Sequence, residues 1–227
     1  MKYPELVVML TYNDTTVEQA FRIFEECRQT DAKYWGFKEK PLPMEQMKEL
    51  AGYMKACGKT TFLEVVAYNE EECLEGAKAA AECQVDYLMG TLFYDSVNDL
   101  CRENGIRYMP FVGRVTGRPS VLEGTAGEMI DEARRYIEKG AYGIDLLGYR
   151  YTGDAVRLNS AIIQALSEMN APVCLAGSVN SFQRLDEVKD ANPGLFTIGS
   201  AFFDHAFGDS FAGQINRVCS YIRGDGI

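Results

Sequence analysis

Eight short apolar runs, each followed by a longer segment, set the strongest limit on what this chain can fold into. A run that is apolar on both faces is typical of a strand in a parallel sheet, because helices cover both sides of such a sheet. The intervening segments carry apolar residues at helical spacing. Short links join the two kinds of segment, so the chain alternates strand and helix throughout. The predicted strands span residues 6–11, 33–38, 61–67, 86–91, 107–112, 142–147, 171–176 and 195–198.

This alternation predicts a single (β/α)8 TIM barrel that spans residues 1–227. The length of 227 residues fits one such domain, and no linker stretch divides the chain. A doubly wound sheet is the rival arrangement. It would need a glycine-rich dinucleotide turn after the first strand, and residues 11–15 contain no glycine. The sequence therefore favours the barrel.

The last two predicted strands both end in a Gly-Ser pair, Gly177-Ser178 and Gly199-Ser200. Glycine leaves backbone N–H groups accessible, and a following helix adds the positive end of its dipole. In a barrel, the loops after strands 7 and 8 form a phosphate site together with a short extra helix, here predicted over 201–205. We expect the two turns to hold one phosphate group, although a Gly-Ser pair alone is also typical of a plain turn.

Residues 172–178, with Phe182 and Leu185, and residues 196–202 form a closing pattern that resembles the ribulose-phosphate-binding group of barrels. That group includes isomerases of histidine and tryptophan biosynthesis, phosphosugar epimerases and phosphogluconate-type aldolases. Residues 63–91 are similar in rhythm to its 2-epimerases. The resemblance implies a barrel that binds a phosphorylated small molecule, and it leaves the reaction open.

The formal net charge of −10 argues against a nucleic acid or an anionic membrane as the partner, because both require a basic surface. No apolar run approaches the length of a membrane span. The seven cysteines include no C-x-x-C pair, which indicates reduced thiols. With no signal peptide in the sequence, we expect a cytoplasmic protein whose partner is a phosphorylated substrate. Assembly into a homo-oligomer stays open.

Lys38 ends the second predicted strand, at the edge where barrel enzymes carry their chemistry. Apolar neighbours and tyrosines would lower the pKa of its ammonium group by desolvation. The amine could then form a Schiff base with a ketone, as in class I aldolases. The alternative is that Lys38 is a plain cation facing solvent or the substrate phosphate.

Glu64 and Asp145 interrupt apolar strands, and an inward-facing charge there is costly unless it is paired or functional. Either carboxylate could take a proton from the carbon next to a carbonyl group. Together with Lys38 they would supply the acid and base that an isomerase or epimerase needs. The structural alternative is an ion pair of Glu64 with Lys38 or Arg114.

Arg114 and Arg150 follow the fifth and sixth strands, where a guanidinium could clamp a phosphate or carboxylate by two hydrogen bonds. Tyr149 is predicted to contact the substrate beside them. Arg118 fits a solvated surface arginine best. Other tyrosines beyond the strands could shape the pocket or simply pack between loops, namely Tyr68, Tyr94 and Tyr151.

Two further predictions concern residues outside this set. Asn13 and Asp14, after the first strand, fit a helix cap better than a catalytic pair. His205 is the only histidine, which excludes a zinc site built from several histidines. We expect no metal and no cofactor, although Glu64 and Asp145 leave a Mg²⁺ site open.

Taken together, these patterns predict an enzyme that acts on a phosphorylated sugar or a related keto or hydroxy acid. The expected classes are an isomerase or epimerase and an aldolase-type lyase, working through an enediolate or an imine. A non-catalytic barrel that binds a phosphorylated metabolite is the first alternative. An oxidoreductase on a phosphorylated hydroxy acid, of the hydroxythreonine-phosphate-dehydrogenase kind, is the second.

Overall fold

The computed structural model describes residues 3–225. Eight parallel strands form one sheet in the order β6-β7-β8-β1-β2-β3-β4-β5. Between the outer two, a parallel bridge joins Phe111 to Asp145, and the Asp145 N–H donates to the Pro110 carbonyl at 2.9 Å, so the sheet closes into a ring. The strands are β1 (Glu5–Met9), β2 (Tyr34–Lys38), β3 (Thr60–Ala67), β4 (Tyr87–Thr91), β5 (Arg107–Met109), β6 (Ile144–Leu146), β7 (Val173–Leu175) and β8 (Leu195–Ile198).

Helices follow the strands in the alternation that the sequence predicts, and the predicted (β/α)8 barrel is confirmed. Pro110 shortens β5 relative to its predicted range, because proline has no N–H to continue the strand ladder. Within residues 3–225, no helix combines the length and hydrophobicity that crossing a membrane requires. The helices are α1 (Ala20–Cys27), α2 (Met44–Ala56), α3 (Glu70–Glu82), α4 (Asp95–Glu103), α5 (Ala126–Glu138), α6 (Ala155–Ser167), α7 (Phe182–Ala191), α8 (Ser200–Phe203) and α9 (Phe211–Arg223).

Two short antiparallel hairpins rise from the C-terminal ends of the strands. The first pairs Thr11–Tyr12 with Thr15–Thr16, and the second pairs Arg114–Thr116 with Val121–Glu123. We call them hairpin 1 and hairpin 2. The second lies between β5 and α5. Both therefore stand at the end of the barrel that carries the candidate site.

The predicted helix cap at Asn13 and Asp14 is wrong. These two residues form the turn of hairpin 1, with φ angles of 49° and 63°. A two-residue hairpin with a type I′ turn requires positive φ at both turn positions, and Asn and Asp tolerate this conformation. The helix α1 begins only at Ala20, after Gln19, whose side chain makes no capping hydrogen bond.

The interior of the barrel is filled by its own small apolar cluster, separate from the larger core between strands and helices. Side chains alternate along a strand, so Lys38 lies on the inward face two residues after Gly36, and Glu64 two residues after Phe62. A side chain at Gly36 would meet the Met9 sulfur at 2.6 Å, which explains the glycine. The interior cluster comprises Val7, Met9, Phe62, Tyr87, Met89, Met109, Cys174 and Leu195.

Candidate functional site

A cavity of about 190 Å³ opens at the C-terminal ends of the strands. This is the end at which barrel enzymes place their chemistry. The cavity brings together seven of the predicted site residues, namely Lys38, Glu64, Arg150, Gly177, Ser178, Gly199 and Ser200. The two Gly-Ser turns therefore lie beside the same space as the charged side chains of β2 and β3.

Both glycines of the Gly-Ser turns are required by close neighbours. Gly177 has φ +83°, and a side chain there would come within 2.9 Å of Cγ of Arg150, which passes directly over it. Gly199 would place a side chain 2.5 Å from the Thr11 hydroxyl oxygen. Ser178 also adopts a left-handed conformation, with φ 54°, which is uncommon for a residue other than glycine. The absence of these side chains thus lets Arg150 and hairpin 1 approach the cavity.

Backbone N–H groups at the two turns are available for a ligand. Within the described residues, no backbone carbonyl accepts a hydrogen bond from the N–H groups of Gly177, Ser178, Gly199 or Ser200. Adjacent backbone N–H groups without protein acceptors form a concave site for an anion. The guanidinium group of Arg150 adds a positive charge on the same side of the cavity.

Lys38 and Glu64 are directly paired residues of β2 and β3. The Lys38 ammonium nitrogen lies 3.4 Å from Glu64 Oε1 and 3.2 Å from Asp14 Oδ1. Its backbone is fixed by the Thr16 hydroxyl, which accepts from the Lys38 N–H and donates to the Lys38 carbonyl, both at 2.8 Å. Hairpin 1 thereby holds Asp14 beside the lysine.

Burial alone would lower the pKa of the Lys38 ammonium, but the carboxylates of Glu64 and Asp14 outweigh it and raise the pKa. The expectation of a lowered lysine pKa is therefore wrong, since two carboxylates at contact distance stabilise the charged form more than burial destabilises it. The ion pair of Glu64 with Lys38 is present, as one of the two structural alternatives anticipated.

Asp145 lies inside the barrel and is 1% exposed. Neither of its carboxyl oxygens has a hydrogen-bond partner among the described residues. Burial raises the pKa of Asp145 well above its ordinary value, the negative charge of Glu64 raises it further, and Lys38 partly opposes both. Asp145 therefore faces the interior near this ion pair, a direction that the sequence leaves open, but it does not line the cavity.

Two other predicted residues lie away from the cavity. The guanidinium group of Arg114 points across hairpin 2 and pairs with Glu123 at 2.7 Å. The ring of Tyr149 packs against α7, where the Arg184 guanidinium lies 4.1 Å from the ring centre. Burial, reinforced by the charge of Glu187, raises the pKa of Tyr149 to about 12. The structure thus brings neither side chain to the candidate site.

Arg118 differs from the solvated surface residue that the sequence suggests. It is exposed, but its Nη2 donates to the Val66 carbonyl at 2.7 Å at the end of β3. The Tyr68 hydroxyl donates to the Gly117 carbonyl at 2.8 Å and lies 2.8 Å from the Ser120 hydroxyl. These contacts hold the tip of hairpin 2 against the mouth of the barrel.

Several residues of the cavity escape sequence reasoning. Asp14 is the most consequential of them, because it contacts Lys38 and also lies 3.5 Å from the Arg150 guanidinium. The signal that could have identified it is the pair Asn13-Asp14 between two threonine-containing segments, a pattern typical of a two-residue hairpin. The others are Thr11, Ser120, Asn180, Thr197 and Asp204.

The arrangement has the elements of proton-transfer chemistry and of anion binding side by side. One wall presents free backbone N–H groups and a guanidinium, and the other presents an ammonium between two carboxylates. In residues 3–225, no group of three or more His, Cys, Asp or Glu side chains is placed to hold a metal ion.

The closed ring of eight strands and the cavity at its C-terminal end place this chain in the class of (β/α)8 barrels. No family model and no curated protein matches the sequence. Among solved structures, orotidine 5′-phosphate decarboxylase from Pyrococcus horikoshii OT3 is similar with a TM-score of 0.71 and 15% identity, over 98% of this chain and 100% of that one.

Two further barrels show the same likeness. N-(5′-phosphoribosyl)anthranilate isomerase from Pyrococcus furiosus has a TM-score of 0.64 and 15% identity, over 98% of this chain and 100% of that one. N-acetylmannosamine-6-phosphate 2-epimerase from Clostridium perfringens has a TM-score of 0.63 and 12% identity, over 87% of this chain and 86% of that one. The resemblance to phosphosugar barrels is confirmed for the fold, which is all that identities this low show.

Proposed function

We propose that this protein is an enzyme that moves a proton, or cleaves a carbon–carbon bond, next to the carbonyl group of a phosphorylated sugar or related acid. The observation that carries the proposal is the buried Lys38–Glu64 ion pair, which lies on the wall of the cavity that the two Gly-Ser turns also line. The similar structures are an isomerase, an epimerase and a decarboxylase of phosphorylated compounds, which supports a reaction of this general kind.

The phosphate group of the substrate would bind at the Gly-Ser turns. The N–H groups of Gly177, Ser178, Gly199 and Ser200 supply donors without protein acceptors, and the Arg150 guanidinium supplies the charge. Such fixed donors are needed because the chain carries a net charge of −10, which repels an anion at long range. Binding at this wall leaves the carbon chain of the substrate directed toward Lys38 and Glu64.

Glu64 is the candidate general base and Lys38 the candidate electrophile. The Glu64 carboxylate would remove a proton from the carbon next to the carbonyl, and the electron pair would move onto the carbonyl oxygen. The Lys38 ammonium would hydrogen-bond to that oxygen and stabilise the enediolate charge in a water-poor site. Return of the proton to the former carbonyl carbon, with transfer of the neighbouring hydroxyl proton to the former carbonyl oxygen, gives an isomer. Delivery of a proton from water to the opposite face of the original carbon gives an epimer.

The charges around Lys38 favour an enediolate over an imine. An amine must be neutral to attack a ketone, whereas Glu64 and Asp14 raise the pKa of Lys38 and so favour its ammonium form. Asp145 is the supporting residue in this scheme. Its raised pKa favours an uncharged carboxyl group. Glu64 and Asp14 then remain the two carboxylates that pair with the Lys38 ammonium.

Deuterium exchange tests this proposal. Incubated in D2O with ribulose 5-phosphate and a panel of other ketose phosphates, the protein should introduce deuterium next to the carbonyl of one of them, as followed by NMR. Glu64→Gln and Lys38→Met should slow the exchange by roughly 10²-fold or more, the usual contribution of a general acid or base. Borohydride treatment should leave no adduct on Lys38.

The control is a second lysine–glutamate pair outside the cavity, Lys48 and Glu45 on α2, with 3.0 Å between Lys48 Nζ and Glu45 Oε1. Lys48→Met and Glu45→Gln should exchange deuterium at the rate of the unmodified protein. A borohydride adduct on Lys38 would assign the imine route. Binding of the phosphates without exchange of any of them would overturn catalysis and indicate a non-catalytic binding barrel.

A further inference from the structure

A second, smaller cavity of about 60 Å³ adjoins the candidate site on the side away from the Gly-Ser turns. Asp14, Lys38 and Ser120 line both cavities, so the two cavities are neighbours at these residues. A ligand that is seated at the Gly-Ser turns and reaches past Lys38 would extend toward the smaller cavity.

The smaller cavity is lined by two cations, Lys40 and Arg118. Within residues 3–225, neither is among the side chains that pair with a carboxylate, whereas Arg114 on the same hairpin pairs with Glu123 and Arg150 pairs with Asp14. Cations without a protein counter-ion at the wall of a cavity are suited to an anion from outside.

Arg118 is held in place by a neutral acceptor, and the backbone of Lys40 is fixed by hairpin 1. One of the five N–H donors of the Arg118 guanidinium bonds the Val66 carbonyl, so four remain. The Lys40 carbonyl accepts from the Thr16 N–H at 2.8 Å, while the residue itself is exposed. An anion would thus meet a guanidinium that is already positioned, and the Arg118 side chain would lose less entropy on binding.

The two carboxylates of the smaller cavity weaken this attraction only partly. Asp14 is already engaged by Lys38 and Arg150. Glu39 is half-buried, and desolvation raises the pKa of its carboxyl group. The two cavities together present four cations and four carboxylates, so the mouth is neutral on a chain of net charge −10.

We propose that the smaller cavity is a second anion subsite, in which Arg118 and Lys40 bind a carboxylate or a second phosphate at the far end of the substrate. This inference rests on the proposed function, in which the first phosphate binds at the Gly-Ser turns. It narrows the substrate class to carbon chains with an anionic group at each end and the reacting carbons beside Lys38.

Three five-carbon ligands of matched length test the subsite by isothermal titration at constant ionic strength. Ribulose 5-phosphate has one anionic end, 5-phosphoribonate adds a carboxylate, and ribulose 1,5-bisphosphate adds a phosphate. One or both of the two-ended ligands should bind at least about tenfold more tightly than ribulose 5-phosphate, as one charged hydrogen bond provides. The two-ended ligand with the larger gain in affinity shows whether the smaller cavity prefers a carboxylate or a phosphate.

Arg118→Met and Lys40→Met should remove that gain and leave the affinity for ribulose 5-phosphate within about twofold. Arg114→Met is the matched control, because this arginine lies on the same hairpin but outside both cavities, and it should change none of the affinities. Arg118→Lys keeps the charge and should restore part of the gain. Circular dichroism spectra establish that each variant is folded.

Equal affinity of the unmodified protein for all three ligands would overturn the subsite, as would equal weakening of all three in Arg118→Met. Failure to bind any of them would overturn the subsite together with the phosphate site. Preferential binding of a two-ended ligand without deuterium exchange would leave the subsite standing and overturn the proposed reaction. The two proposals therefore fail by separate observations.

Discussion

Among the charged residues that the structure describes, Asp145 is the least exposed. It is 1% exposed, and within the described chain its carboxyl oxygens have no hydrogen-bond partner. A charged carboxylate in such a place would be strongly destabilising, so its protonated form is favoured. Ionisation of Asp145 would therefore destabilise the barrel, so the free energy of unfolding should depend on pH.

The Asp145→Asn variant tests this. In the unfolded chain the carboxyl loses its proton near pH 4, while the raised pKa keeps the proton bound in the folded chain. Above pH 4 the folded state therefore loses stability as pH rises, by up to about 1.4 kcal/mol per pH unit, until the folded pKa is passed. Asparagine does not ionise, so the Asp145→Asn variant lacks this loss. Its free energy of unfolding, relative to that of the unmodified protein, should therefore increase with pH.

Urea unfolding from pH 4.5 to 7.5 measures the effect. Asp209→Asn, at an exposed aspartate, is the control and should differ from the unmodified protein by a similar small amount at every pH. A difference between Asp145→Asn and the unmodified protein that does not vary with pH would show that Asp145 ionises alike in both states.

Sequence reasoning located the charged residues on the strands but not their surroundings. An isolated charge in an apolar run identifies Lys38, Glu64 and Asp145, since such a charge is costly without a purpose. The direction of the pKa shift of Lys38 depends on Asp14, which reaches it from another part of the chain. Contacts between segments distant in sequence leave no local pattern, and for this reason the predicted sign was wrong.

At the scale of secondary structure, hairpin 1 contacts both the backbone and the side chain of Lys38. Its Thr16 hydroxyl bonds both backbone groups of Lys38, and its turn carries Asp14. The hairpin therefore sets the position of the lysine and supplies one of its two counter-ions. Few residues do this, so the arrangement should respond to a single substitution.

Thr16→Val should destabilise the protein by about 1–3 kcal/mol, because valine keeps the shape and leaves two buried backbone groups of Lys38 unpaired. Thr15→Val is the matched control, since this neighbouring threonine is exposed and bonds only the Tyr12 carbonyl. It should change the free energy of unfolding by less than about 0.5 kcal/mol. Equal effects of the two variants in urea unfolding would contradict the role given to Thr16.

The eight barrel strands and their helices could be predicted from sequence, because continuous apolar runs and apolar residues at helical spacing reflect burial that each element carries by itself. The hairpins could not. Hairpin 1 has only two residues in each strand, too few for a hydrophobic pattern, and hairpin 2 lies within what the sequence shows as a loop. Their positions depend on side-chain bonds to β2 and β3, such as that of Arg118 to Val66.

For the whole molecule, the net charge and the charge of the proposed ligand have the same sign. A chain of net charge −10 attracts cations over its surface, whereas we propose that the cavity binds an anion. Binding of an anion only to the folded state should therefore be visible as a gain in global stability, over and above any effect of ionic strength.

Phosphate should raise the free energy of unfolding relative to chloride at equal ionic strength, by about 2.7 kcal/mol at a hundred times its dissociation constant. Gly177→Ala should lose this gain in the free energy of unfolding, because the added methyl group would displace the Arg150 side chain that lies over Gly177. The matched control is Gly58→Ala, which has a similar φ of +76° but nothing within 4 Å. It should keep the full gain despite a similar backbone strain. Identical gains in both variants, measured by urea unfolding, would place the anion elsewhere.

The direct pairing of Lys38 with Glu64 across β2 and β3 limits how this chain can change in evolution. Inserting or deleting one residue before either position would rotate that side chain out of the barrel and into the helical layer. Length changes are therefore confined to the loops and to hairpin 2, because hairpin 1 also fixes Lys38 through Thr16 and Asp14. These segments can vary while the Lys38–Glu64 pair stays where it is.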